Sequence, residues 1–115
     1  MNAMTHPSVI RPADHAVFSS DRMGKATLFS SANLLVGINA FEPGQQHALH
    51  AHAGQDKVYL VAEGQGVFLV EGAEWPMTAG DLLVAPADVP HGVRNIGTKR
   101  LIIVAILAPA PQTPR

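Results

Sequence analysis

An all-β sandwich or barrel is the fold class this sequence predicts, and three observations carry it. Short apolar segments recur at near-regular spacing, the breaks between them hold turn-forming residues, and no long stretch keeps a helical period. The candidate strands are 25–29, 34–41, 46–52, 57–63, 66–70, 74–77, 81–85, 91–95 and 100–107. Residues 1–15 read as a polar arm carrying Pro7 and Pro12, residues 16–108 as the barrel domain, and residues 109–115 as a proline-rich tail. Such a tail is expected to be disordered or extended.

The breaks follow one another in a consistent way. Glu42-Pro43-Gly44 puts proline at the first central position of a turn and glycine at the next. Glu63-Gly64-Gln65-Gly66 and Glu71-Gly72 predict tight hairpin connections, and Thr78-Ala79-Gly80-Asp81 a further turn. Trp75 before Pro76 reads as packing at a strand edge. The run 101–108 is apolar and rich in β-branched residues, which reads as a fully buried strand. It is far too short to span a bilayer.

Composition excludes several function classes. The 115 residues suffice for one domain with its own core. There is no cysteine, so a disulfide framework, a thiolate metal site and a thiol nucleophile are all ruled out. Any metal must be held by nitrogen and oxygen. Eight basic residues stand against nine acidic ones, with no basic cluster longer than Lys99-Arg100, so a nucleic-acid partner is not expected. The first thirty residues lack the apolar core of a secretory signal. The expectation is a cytoplasmic protein with no membrane or nucleic-acid partner. Ser19-Ser20 and Ser30-Ser31 lack a nucleophile-elbow context, and no phosphate-binding glycine loop is present.

The chemistry lies in a histidine, glycine and proline framework. It reads Gly44-x5-His50-x-His52-x4-Lys57-x6-Gly64, then fifteen residues, then Gly80-x5-Pro86-x-Asp88-x2-His91-x3-Asn95. Strand side chains alternate with period two, so His50 and His52 project from one face. A third imidazole from another strand would complete a facial metal triad.

These two segments resemble the paired motifs of the cupin superfamily, small jelly-roll barrels of the double-stranded β-helix type. Gly44, His50, His52 and Gly64 fall on the first motif, and Gly80, Pro86, His91 and Asn95 on the second. Asp88 stands where the pattern usually has glycine. Eight coincidences in register are far beyond chance at background residue frequencies. The resemblance implies a divalent metal (Fe, Mn, Ni or Zn) held by His50, His52 and His91. It also implies a departure, because Lys57 occupies the place of the pattern's glutamate ligand, and a charged ammonium has no lone pair to give.

The fourth position is therefore open. Asp56 would supply a carboxylate if its loop bends inward, and otherwise caps a turn; Gln55 offers a carbonyl oxygen. His47 precedes His50 by three residues, so on an unbroken strand it faces the opposite side and would need a bulge to join. The resemblance puts Lys57 at an inward-facing position, and Tyr59, two residues on, is expected to share its face. Lys57 would form an ion pair with Asp56 or Glu63, transfer a proton, or contact an anionic substrate. Tyr59 would line the cavity or simply pack the core. Asn95 is expected to stabilise a turn near Gly97, and Arg94 to be a solvated strand residue.

Two functions fit. One is a metal-dependent enzyme with dioxygenase-like or Lewis-acid chemistry, or an isomerase, acting on a small anionic or enolic organic substrate. The other is a non-catalytic ligand-binding or metal-free module. The strand 101–107, apolar on both faces, is expected either to be covered within the barrel or to pack in a homodimer.

Overall fold

The computed structural model describes residues 9–51 and 53–111, and all nine expected strands are present. They are β1 (Gly24–Ser30), β2 (Leu35–Phe41), β3 (Gln46–His50), β4 (Asp56–Glu63), β5 (Gln65–Val70), β6 (Ala73–Thr78), β7 (Leu82–Ala85), β8 (His91–Arg94) and β9 (Leu101–Ala108). Expected and observed ends differ by at most two residues. The arm adds one short 3-10 turn, Pro12–His15, against β1 and β4. The predicted tail is described only as far as residue 111. Among the described residues no helix is long and apolar enough to cross a membrane.

The strands form two antiparallel sheets, a jelly roll with order β1-β2-β9-β4-β7 in one layer and β3-β8-β5-β6 in the other. The core sits between them. Tyr59 and Val61 from β4, Phe41 from β2, and Leu101, Ile103 and Ala105 from β9 meet Phe68 from β5 and Val93 from β8. Strand alternation sets this division: on β4, Lys57, Tyr59 and Val61 point inward and are buried, while Leu60 between them is exposed. β9 lies centrally, and its alternating residues Ile102 and Val104 are buried as well. The strand apolar on both faces is thus covered on both. β6 is an edge strand, with Pro76 opposite Val67 and Trp75 largely exposed.

Most turns behave as their sequence suggests. Glu71 (φ 42°) and Gly72 (φ 82°) are both left-handed and close the β5–β6 hairpin, as a two-residue primed turn requires. Asp88 has φ 68°, so the position where the cupin pattern usually carries glycine keeps a left-handed backbone, which aspartate tolerates. One expectation is corrected. Glu63-Gly64 is not a hairpin, because β4 pairs with β7 and β9 whereas β5 pairs with β6 and β8. The chain passes from one sheet to the other there, and the short spacing that suggests a hairpin serves a corner.

Gly64 is what makes this corner possible. It has φ 85°, and a Cβ built on it would lie 2.3 Å from the Arg100 carbonyl oxygen. Asn95 holds the neighbouring turn. Its Nδ2 donates to the carbonyls of Phe41 and Lys99 at 3.2 and 2.8 Å, and its Oδ1 accepts from Gly97 N–H at 3.1 Å. Gly64→Ala is expected to destabilise the domain by about 2 kcal/mol or more, since it adds both backbone strain and a clash. Denaturant unfolding measures this, and an unchanged midpoint would contradict it.

Candidate functional site

The site forms where β3 runs beside β8. Gln46 and His47 pair with Arg94 and Val93, but His50 pairs with His91, so three steps along β3 match two along β8. The extra residue is a β-bulge. It cancels the strand alternation between His47 and His50. The sequence expectation that His47 faces away is corrected: its ring stacks on that of His50 with centroids 4.0 Å apart. The His50 and His91 rings are 4.3 Å apart.

Gly92 permits this approach. A Cβ there would sit 2.8 Å from the His47 carbonyl oxygen and 3.1 Å from Leu49 N. The glycine between His91 and Val93 therefore leaves room for the bulged backbone.

Two of the three imidazoles are fixed by the main chain. His50 Nδ1 lies 2.7 Å from the Ala48 carbonyl and His91 Nδ1 3.0 Å from that of Val89. A carbonyl only accepts, so both Nδ1 atoms carry the proton and both buried Nε2 atoms carry the lone pair. Backbone acceptors of this kind orient and polarise metal-binding histidines. Behind them Tyr59 stands edge-on to Phe68 at 5.3 Å and to His91 at 5.9 Å. Lys57 is buried, with Nζ 4.8 Å above the Tyr59 ring centre.

Burial and neighbouring cations keep the imidazoles neutral. His47 is pushed down to about 3, first by burial and then by the charges of His50, Lys57, Lys25 and His91. His50 is lowered mainly by burial, which outweighs the Ala48 carbonyl, with Lys57 and Lys25 adding to it. His91 is lowered by burial against the Val89 carbonyl, with His50 and Lys57 contributing.

Other expected residues lie elsewhere. Asp56 is exposed and its Oδ1 accepts from Ala87 N–H at 2.9 Å, so it caps a turn. Gln55 Nε2 donates to the Pro109 carbonyl at 3.0 Å. Arg94 is ion-paired with Glu74. His52 lies outside the described residues. Sequence reasoning missed Arg22 and Lys25. With Met23, Gln46 and His47 they bound a cavity of about 470 Å³ beside the imidazoles. No motif marks them; the entry into β1 brings them there through the fold.

A divalent ion fits part of this arrangement. With metal–nitrogen bonds of about 2.1 Å, two imidazoles sharing an ion at right angles have ring centres about 4.5 Å apart, close to the His50–His91 separation. Both offer a neutral nitrogen, as a ligand must. Among the described residues no three histidine or carboxylate side chains gather closely enough for one ion. His47 is stacked on His50 as a buttress.

The cupin-domain family profile matches residues 37–107, which hold the two motifs, strands β3 to β8 and most of β2 and β9. This chain belongs to the cupin family. A protein from Thermus thermophilus with a solved crystal structure is 34% identical, with a TM-score of 0.85 over 90% of this chain and 98% of that one. The oxalate-binding protein of Thermotoga maritima is 29% identical over 81% of this chain and 71% of its own length. A gentisate 1,2-dioxygenase from Ralstonia is 26% identical over 79% of this chain, which spans only 26% of that enzyme.

The neutral imidazoles of this cupin domain predict a direction for acid sensitivity. A histidine lowered from 6.5 in the folded state stabilises fully above 6.5, and the unfolded chain gains protons first as pH falls. The metal-free protein should lose thermal stability between pH 6.5 and about 3, the lower bound being that of His47. His47→Gln should make the midpoint less pH-dependent over that window. Equal slopes for the two proteins would show that His47 is not buried neutral.

Proposed function

We propose that this cupin is a metal-dependent enzyme acting on a small, anionic or enolic organic acid. In this reading His50 and His91 hold a divalent ion together with His52, which the sequence pattern places on the face of His50. The observation that carries it is the His50–His91 pair, with rings 4.3 Å apart and both Nδ1 protons committed to backbone carbonyls. When bound, the ion supplies Lewis acidity or a coordination position for dioxygen.

The chain's own groups do the rest. Lys57 and Lys25 put positive charge beside the imidazoles, which draws in an anion and holds the histidines deprotonated. Lys57 takes an acidic or enolate oxygen of the substrate in place of the usual carboxylate ligand. Tyr59 and Phe68 form an apolar wall that limits water and substrate size. Relatives named for binding oxalate and for dioxygenation of gentisate support an acidic substrate. Lack of cysteine suits a reducing cytoplasm.

His50→Ala and His91→Ala should each lower the metal content of the purified protein by more than tenfold, measured by elemental analysis. Unchanged content in both would place any ion elsewhere. The metal-free module becomes the better reading if the unaltered protein takes up no divalent ion at neutral pH.

A homodimer belongs to the same proposal. Leu60, Leu82 and Val84 are exposed on adjacent strands β4 and β7, on the outer side of the larger sheet, where Leu60 lies opposite Leu82 and Val58 opposite Val84. Light scattering is expected to give twice the mass of one chain. Leu82→Lys should shift it toward the monomer, and a monomeric mass for the unaltered protein would dismiss the dimer.

A further inference from the structure

We propose that the cavity bounded by Arg22, Met23, Lys25, Gln46 and His47 is a carboxylate subsite for a small organic acid. The cavity measures about 470 Å³, within the range of small-molecule sites, and is lined from the segment leading into β1, the start of β1 and the start of β3. Among the described residues its boundary carries two cations, an amide and an imidazole, and no carboxylate. Both Arg22 and Lys25 are exposed, and among the described residues Arg22 has no ion-pair partner.

Chemistry favours an organic carboxylate over an inorganic anion. Arg22 offers a planar fork that matches a carboxylate, Lys25 a point charge, and Gln46 amide hydrogens. Buried Met23 gives an apolar surface on which a short hydrocarbon chain can lie. A bare phosphate or sulfate would leave that surface unused.

Position links the subsite to the imidazoles. His47 is a wall of the cavity on one side and stacks on His50 at 4.0 Å on the other. The charge of Lys25 is felt at both His47 and His50. An acid anchored by one carboxylate between Arg22 and Lys25 thus has its other end a ring's width from the His50–His91 pair. The subsite itself stands on the cavity and its charges; only the statement about the substrate's reacting end rests on the metal-enzyme reading.

The test is titration calorimetry of the full chain, stripped of metal, with glutarate and with inorganic phosphate. Glutarate should bind more tightly than phosphate, and its affinity should fall with added salt. Lys25→Gln and Arg22→Gln should each weaken glutarate about tenfold, as loss of one charge-assisted contact does. Because both residues are exposed, the thermal midpoint should not move. Gln65→Ala, in a separate cavity lined by Gly64, Thr78 and Thr98, should leave glutarate binding intact.

Equal affinity for phosphate and glutarate, or unchanged glutarate affinity in both charge variants, would overturn the subsite. Failure of the metal reading looks different, since metal content would then be insensitive to His50→Ala and His91→Ala while the calorimetric result stood.

Discussion

The candidate site depends on one irregularity in hydrogen bonding, the extra residue that β3 carries between His47 and His50 against β8. Regular pairing would send those side chains to opposite faces of the sheet. With the bulge, His47, His50 and His91 form a continuous row of rings. The bulge in turn depends on Gly92, because the β3 backbone passes where any side chain at that position would stand. A strand-pairing defect and a missing methyl group on the neighbouring strand therefore set the geometry together.

Electrostatics at the row follows from burial. Imidazoles removed from water hold their neutral form, and Lys57 and Lys25 reinforce it. A divalent ion brought to such a place meets favourable lone pairs and unfavourable lysine charge at once. An anion relieves that conflict, since it is attracted by the ion and the lysines alike. Replacement of the usual glutamate by Lys57 thus makes sense where a negative charge arrives with the substrate instead of being built into the protein.

Much of this was legible in the chain. All nine strands follow from period-two alternation and from turn residues whose backbone needs are local, as at Glu71-Gly72 and Glu42-Pro43-Gly44. The role of Asn95 beside Gly97 was readable for the same reason. Three things were not. The face of His47 depends on the register of a partner strand more than forty residues away. The Glu63-Gly64 corner has the spacing of a hairpin, and only pairing with other strands distinguishes the two. Arg22 and Lys25 carry no motif, and their closeness to Gln46 and His47 is created entirely by tertiary folding.

Pro76 carries a consequence for how this domain meets its neighbours. It lies in β6, the outermost strand of the smaller sheet, where backbone groups would otherwise offer a template to another chain. A pyrrolidine nitrogen has no hydrogen to give, so a foreign strand laid along this border would find its ladder interrupted at that rung. This border of the smaller sheet is thereby guarded against runaway edge-to-edge polymerisation, even though an indole stands in the open beside it.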